Sequence, residues 1–353
     1  MADHRVHEVH EATLELISPL HVGSGSSPLV ENYDFAVENG LVWVMDHRKL
    51  LDLYDEEELR HGIPDVRLSA RLGPGRYRDF AAYSLQARGA VGGQILPVIK
   101  NAAGLPYLPG STLKGALRTV VAWGVADSEQ QLPRLDDLES NPKYAARRWE
   151  RGVFGSSPNF DLMRALVVQD SAAVGAEQLE LATVSIYSLQ GSKLVSKGEG
   201  YRFSVEALKP GTRLACRINL DRHLLSHPRL GFSSKADLLE GLAARGRERA
   251  RRLIDQEREF FKSCQIRPLQ QFYDRLADRA AGLGENSFLL QVAWGTGWAA
   301  KTLGDRLAEA GYLQELRTRY GLGRAAAPFP KSRRLVERGG AAVEPMGWLE
   351  VTL

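Results

Sequence analysis

The stretch LPYLPGSTLKGALRTVVAWG, residues 105–124, joins a loop punctuated by proline and glycine to an amphipathic helix. Ser111 or Thr112 is suited to be the N-cap of this helix, which puts Lys114 in the first turn and Arg118 one turn further along the same side. The unpaired N–H groups of a first helical turn carry partial positive charge and favour a bound phosphate. The spacing therefore predicts a backbone-phosphate site, and it is equally compatible with a capped helix that carries two solvated basic residues.

Two glycine-rich sequences fail as nucleotide-binding motifs. GLPYLPGSTLKG lacks the adjacent Gly-Lys-Ser/Thr of a P-loop, so Lys114 is not placed as an ATP-binding lysine. GTGWAA, residues 295–300, has the spacing of a dinucleotide-binding turn, but too little chain follows it for a second parallel strand. We therefore predict no cofactor, although the backbone at Gly295 and Gly297 still suits close approach to a phosphate.

Composition limits the possible classes of protein. The chain has 353 residues, is 44% hydrophobic and has a net charge of only +3, so it has enough apolar residues for real cores and is not a polycationic nucleic-acid coat. Two cysteines are too few for a disulfide framework or a thiolate zinc site. No signal-peptide core and no membrane-length apolar run is visible. We expect a cytoplasmic protein that does not bind membranes.

Short apolar runs separated by turn residues and helical stretches predict an α+β protein. VENG indicates a hairpin between YDFAV and LVWVM, and KPG indicates a second hairpin between YRFSVEAL and TRLACRINL. The order of elements favours two ferredoxin-like (RRM-related) units with inserted loops and helices. We place the first at residues 1–200, with a mainly helical insertion around 128–160, and the second at residues 201–353.

Further candidate positions lie outside the opening stretch. His21, Gly23 and Gly25 follow the first predicted strand, and His21 could transfer a proton, contact RNA or pack beside its loop. In PFPKSRRLV, Lys331, Arg333 and Arg334 are expected in a loop that contacts phosphates before the last strand.

Metal and covalent chemistry are not predicted. His223 and His227 are four residues apart, but no glutamate sits beside His223 as in H-E-x-x-H. No Gly-x-Ser-x-Gly sequence is present, and neither cysteine has an activating sequence context. We therefore expect no catalytic residues and no metal ligands.

Three sequences together carry a resemblance: ISPLHVGSG, LPGSTLKGALR, and VAWGTGW with the following PFPKSRRLV and PMGWLEV. With them the chain resembles the RAMP superfamily of CRISPR-associated proteins, and within it the family of the fifth subunit of the type III-A (Csm) effector complex. The resemblance implies a duplicated ferredoxin-like core. It also implies that Ser111, Lys114 and Arg118 occupy the positions of the motif GSxLKGxxR.

The resemblance implies a non-catalytic RNA-binding subunit of an antiviral complex. Such a subunit caps a filament of backbone RAMP subunits at the 3′ part of the CRISPR RNA and assists guide maturation, with a host trimming nuclease as a further partner. Two alternatives remain open: an endoribonuclease that processes precursor RNA with His21 as the proton-transfer group, and a RAMP subunit of a type III-B complex. The implied RNA-binding positions are His21, Gly23, Gly25, Ser111, Thr112, Lys114, Arg118, Gly295, Gly297, Lys331, Arg333 and Arg334.

Overall fold

A computed structural model describes residues 7–61, 67–87, 91–126, 131–323 and 328–353. Its strands are β1 (His7–Leu16), β2 (Leu29–Val30), β3 (Phe35–Glu38), β4 (Leu41–Met45), β5 (Ala81–Gln86), β6 (Gln94–Leu96), β7 (Leu166–Val168), β8 (Leu179–Gln190), β9 (Lys193–Ser196), β10 (Arg202–Leu208), β11 (Arg213–Asp221), β12 (Ser287–Gln291), β13 (Ser332–Arg338), β14 (Ala341–Pro345) and β15 (Trp348–Thr352).

Helices lie mainly between these strands. They are α1 (His47–Leu50), α2 (Glu56–His61), α3 (Leu68–Arg71), α4 (Tyr77–Phe80), α5 (Gly110–Val125), α6 (Arg147–Phe154), α7 (Arg222–Ser226), α8 (Asp237–Glu240), α9 (Leu242–Ser263), α10 (Arg267–Ala281), α11 (Gly297–Lys301), α12 (Gly304–Glu309) and α13 (Leu313–Tyr320). Several one-turn 3₁₀ helices flank α6, between residues 135 and 165.

The first sheet contains five strands in the order β12-β15-β1-β11-β7. Each neighbouring pair is antiparallel, and β1 is hydrogen-bonded to both β15 and β11. Leu14 of β1, Leu214 of β11 and Val351 of β15 are buried, because alternate residues of each strand face the main hydrophobic core. The sheet therefore brings residues from widely separated parts of the chain into one layer.

The second sheet follows the order β14-β13-β8-β10-β6-β2, with β9 paired to β8, and β3, β4 and β5 form a small third sheet. In the second sheet, the β10–β6 pair is parallel and all the other strand pairs are antiparallel. Mixed helices and largely antiparallel sheets confirm the α+β class. Both large sheets contain strands from each side of residue 200, and the division into two units at that position stays a prediction.

The two predicted hairpins had different outcomes. Asn39 and Gly40 connect β3 to β4 with φ values of 52° and 75°, so the first hairpin is confirmed. The second is wrong, because β10 pairs with β8 and β6 while β11 pairs with β1 and β7, in different sheets. Alternation of buried residues in each strand predicts strands but does not specify the sheet that each one joins.

The helix that follows the proline–glycine loop begins two or three positions earlier than expected. Its N-cap is Pro109, with no capping side chain, so the prediction of Ser111 or Thr112 as N-cap is wrong. The N–H of Gly110 donates instead to Asp170 Oδ1 at 2.7 Å. A Cβ at Gly110 would lie 2.3 Å from the carbonyl oxygen of Val168, so only glycine allows this approach of α5 to the end of β7.

Candidate nucleic-acid interface

Lys114 faces a cavity of about 480 Å³ between the first turns of α5 and residues 147–164. Burial lowers the pKa of its ammonium group, opposed by the charge of Asp161 and assisted by that of Arg118. Among the described residues, Lys114 forms no hydrogen bond or ion pair. Anion binding by Lys114 stays a prediction, and Ser111 lies exposed on the same turn.

Arg118 is already paired. Its Nη1 lies 3.1 and 2.9 Å from the two carboxylate oxygens of Asp161, its Nη2 lies 3.3 Å from Glu150 Oε2, and its guanidinium stacks on the ring of Phe154 at 3.7 Å. These contacts attach α6 and the following loop to α5. The observed contacts of Arg118 are with protein side chains and serve to position α6 and its loop. Phosphate binding by Arg118 stays a prediction.

His21 is buried, with 2% of its surface exposed. Its Nδ1–H donates to the backbone carbonyl of Glu206 at 2.7 Å, a tautomer assigned from this contact, and burial lowers its pKa. Its ring packs edge-on against Trp294 with centroids 5.6 Å apart. His21 therefore has the packing role that was one of its three predicted alternatives, and it holds the loop of Gly23 and Gly25 against the glycine-rich turn.

The carboxylate of Glu206 organises the surroundings of His21 from within the core. It is 0% exposed and accepts hydrogen bonds from the hydroxyl of Tyr83, the N–H of Val98 at 2.9 Å and the Nζ of Lys100 at 2.5 Å. A buried carboxylate with three donors fixes the chain that runs from β6 toward α5. Sequence reasoning missed it, because a glutamate in an alternating strand is normally taken as solvent-facing.

The glycine-rich turn after β12 has an unusual backbone conformation, with three residues at positive φ. Ala293, Gly295 and Gly297 have φ values of 70°, 89° and 82°. At Gly295 a Cβ would also lie 2.9 Å from the Cβ of Met346, so a side chain is excluded by both conformation and space. The turn leads directly into α11 and is close to the start of β13.

The basic residues near the end of the chain occupy three different environments. Arg333 and Arg334 lie in β13, so the prediction of a loop is wrong for them, and Lys331 immediately precedes that strand. Arg333 forms a buried ion pair with Glu257, with Nε and Nη2 each 2.8 Å from a carboxylate oxygen. Strand alternation turns its neighbour Arg334 to the exposed side.

Arg334 meets two residues that sequence reasoning missed. Its guanidinium lies 5.2 Å from the ring centroid of Trp294, and Lys301, at the end of α11, has a pKa lowered by burial and by the charge of Arg334. Trp294 stands inside the quoted sequence VAWGTGW, but a tryptophan beside a glycine turn gives no signal that separates packing from binding. His21, Trp294, Gly295, Arg334 and Lys301 thus form one group, which we call the glycine-turn cluster, and of its members Arg334 and Lys301 are exposed.

The structure therefore groups the predicted positions in two places. His21, Gly295 and Arg334 belong to the glycine-turn cluster, and Gly23, Gly25 and Gly297 lie within four residues of a cluster member along the chain. The cavity at α5 contains Lys114 and Arg118, and its lining includes none of the cluster residues among those described.

Three further features concern metal binding, thiol chemistry and membrane insertion in the described part of the chain. It contains no group of three or more histidine, cysteine or acidic residues able to hold a metal ion. Cys216 and Cys264 are unpaired and buried, and burial raises the pKa of the Cys216 thiol to about 11. None of the described helices has both the length and the apolar composition that a bilayer span requires.

Comparison with solved structures shows similarity along nearly the whole chain. A chain in the cryo-EM structure of a Csm-crRNA-target RNA ternary complex of a type III-A CRISPR-Cas system matches with a TM-score of 0.68 and 25% identity, over 97% of this chain and 99% of that one. The crystal structure of T. onnurineus Csm5 matches with a TM-score of 0.65 over 97% of this chain and 100% of that one, and its 24% identity shows a shared fold.

Curated relatives are similar over part of their length. Csm5 of Streptococcus thermophilus is 25% identical over 205 residues, which are 51% of this chain and 56% of the relative. Csm5 of Mycobacterium tuberculosis is 29% identical over 139 residues, 36% of each protein. The matched regions thus span about half or less of these relatives.

The sequence pattern of the RAMP superfamily matches residues 13–263, which is more than half of the chain and includes the loop of His21 and the whole of α5. With the motifs, the fold and this match in agreement, the protein belongs to the RAMP superfamily.

Proposed function

We propose that this protein is a non-catalytic RNA-binding subunit of a type III-A CRISPR (Csm) effector complex. In this role it caps the filament of backbone RAMP subunits at the 3′ part of the CRISPR RNA and assists guide maturation in antiviral defence. The observation that carries the proposal is the match, over 97% of this chain, to a chain of a Csm-crRNA-target RNA complex. Its partners are then the guide RNA and a neighbouring RAMP subunit, and a separate trimming nuclease is a further predicted partner.

The proposed mechanism of binding is contact with the RNA backbone. Arg334 and Lys301 carry no ion pair within the described residues, and both lie beside the turn that contains Gly295 and Gly297. Exposed cations and accessible backbone N–H groups bind phosphates without distinguishing bases. The RNA-binding positions inferred from the family motifs stay proposals, as does the arrangement of the core as two ferredoxin-like units. Arg333 and His21 have the weakest cases among those positions, because Arg333 is paired with Glu257 and His21 has 2% of its surface exposed.

The alternative of an endoribonuclease is less well supported. His21 has 2% of its surface exposed and its Nδ1–H is used by Glu206, which leaves the ring away from any solvent-accessible phosphodiester. A general base must reach the proton that it removes. The alternative of a type III-B subunit has less support than type III-A, because the matching relatives and the matching solved complex are Csm proteins.

The decisive experiment compares complexes assembled with and without this subunit. The partner subunits are purified with their bound RNA, and the 3′ ends of that RNA are sequenced. We expect the protein to copurify with the complex and its omission to change the distribution of 3′ ends. Unchanged 3′ ends together with failure to copurify would contradict the proposal, and cleavage of precursor RNA by the purified protein, abolished in His21→Ala, would favour the endoribonuclease.

A further inference from the structure

The cavity at α5 has an excess of positive charge that the opening motif alone does not explain. Five cationic side chains line it, Lys114, Arg118, Arg147, Arg151 and Arg164, against the two carboxylates of Glu150 and Asp161. Arg118 binds both carboxylates. Four cations therefore remain around the cavity without an acidic partner within the described residues.

These cations approach from two sides. Lys114 projects from the first turns of α5, whereas Arg147 and Arg151 lie one turn apart on the same face of α6. Arg147 stacks on the ring of Tyr144 at 3.7 Å, which holds its guanidinium in one orientation while leaving N–H groups available. Between the two helices, like charges surround a space of about 480 Å³, an arrangement that favours an anion.

The loop that closes the cavity adds features suited to a nucleic-acid chain. Ser156 and Ser157 line the cavity and bring hydroxyl donors beside the arginines. Phe160, in the same loop, keeps 44% of its surface exposed, a large value for an aromatic side chain. Phe160 does not line the cavity itself, but it belongs to the same segment as Arg147, Arg151 and Arg164. Proteins that bind single-stranded nucleic acid combine exposed aromatic rings, on which bases stack, with cations that pair with the phosphates.

We propose that the cavity between α5 and residues 147–164 binds a phosphodiester stretch of single-stranded RNA, with Arg147, Arg151 and Arg164 as phosphate contacts and Phe160 as a stacking surface for an adjacent base. The proposal rests on the proposed function, since it assumes that the protein binds RNA. It assigns a binding role to the segment that contains none of the sequence motifs. In this proposal the ion pairs of Arg118 with Glu150 and Asp161 have a structural role, because they hold this segment next to Lys114.

The test compares the double variant Arg147→Ala/Arg151→Ala with Arg148→Ala. Arg148 lies between them on α6, but its side chain pairs with Asp137 at 3.1 Å and does not line the cavity. It is therefore the control for the loss of one charge from this helix, and the single variants Arg147→Ala and Arg151→Ala are compared with it directly. Affinity of the full chain for single-stranded RNA of mixed sequence is measured over a range of salt concentrations. Circular dichroism of each variant checks that the fold is retained.

At low salt we expect each removed cavity arginine to weaken binding about fivefold, the value of one unit charge pair in water. The slope of log affinity against log salt should become shallower by about 0.7 for each phosphate that the variant no longer neutralises. Arg148→Ala should change neither quantity. Phe160→Ala should weaken binding with the slope unchanged, because stacking releases no counterions.

The outcomes separate the two proposals. If the unaltered protein does not bind RNA, alone or in its complex, the proposed function fails. If it binds RNA and the double variant binds as tightly as Arg148→Ala does, only the cavity assignment is overturned. Binding of inorganic phosphate that is abolished in the double variant, with RNA affinity unchanged, would assign the cavity to a small anion and would equally overturn it.

Discussion

Arg333 and Arg334 are neighbours in sequence with opposite surroundings. The side chain of Arg333 is 13% exposed and paired with Glu257, which is 5% exposed, whereas Arg334 lies at the surface over Trp294. A charge pattern in a sequence contains no information about which face of a strand each residue occupies. The sequence therefore located this basic segment but could not separate a structural arginine from one available to a ligand.

Substituting these two arginines should separate stability from binding. Arg333→Ala leaves the carboxylate of Glu257 buried without its partner, so we expect the free energy of unfolding to fall by about 3–5 kcal/mol. Arg334→Ala should change it by no more than about 0.5 kcal/mol and should weaken RNA binding instead. Denaturant unfolding and RNA titration of both variants measure the two effects, and equal losses of stability would contradict the assignment.

His21 should make stability depend on pH. Burial lowers its pKa in the folded protein, so below its unfolded value of about 6.5 the unfolded chain binds the extra proton first. The contribution of neutral, buried His21 to the free energy of unfolding is then fully present above about pH 6.5. As the pH falls below this value, the contribution decreases by up to about 1.4 kcal/mol for each pH unit. Unfolding of the protein and of His21→Asn, which keeps a side-chain donor without titrating, is compared over this range, and an identical pH slope in the variant would refute the role.

At the scale of elements, α5 shows what its glycines do. Gly110 touches the end of β7, while Gly115 faces open space in the middle of the helix. We expect Gly110→Ala to lower the free energy of unfolding by about 1–3 kcal/mol, through overpacking against the carbonyl of Val168. Gly115→Ala should raise it by about 0.5–1 kcal/mol, since alanine restricts the unfolded chain and favours the helix.

Thermal or denaturant unfolding of the two variants is the measurement. Each serves as the control of the other, because the same methyl group is added to the same helix five residues apart. Equal shifts in the same direction would mean that the contact between Gly110 and β7 does not constrain the protein.

The sequence predicts a turn or a helix well when neighbouring residues determine it. It does not predict which strands pair when the partners are distant in the chain. The hairpin at Asn39 and Gly40 and the helix after Pro109 depend on nearby residues, and both are present. The partners of β10 and β11 depend on strands more than a hundred residues away in some cases, such as the pairing of Leu14 with Leu214. The cations of α6 were missed for a similar reason, since only the folded chain places them opposite Lys114.

At the scale of the whole molecule, both large sheets are built from strands on each side of residue 200. A fragment of residues 1–200 would lack β11 and β15, the two neighbours of β1, and would expose the apolar face of that strand. We expect neither this fragment nor residues 201–353 to unfold cooperatively when expressed alone, whereas a mixture of the two should regain structure. Circular dichroism melts of the fragments test this, and a cooperative transition in each fragment would establish two independent folding units.

The position of β15 beside β1 also has a consequence for the timing of biosynthesis. A nascent chain carries an incomplete first sheet until β15 has emerged from the ribosome, because among the described strands β15 is the one that joins β12 to that sheet. The turn of Gly295 packs on Met346, two residues before β15, so its packing also requires this segment. A prematurely terminated chain would therefore display exposed apolar strands, a target for chaperones and proteases, and would not form the glycine-turn cluster.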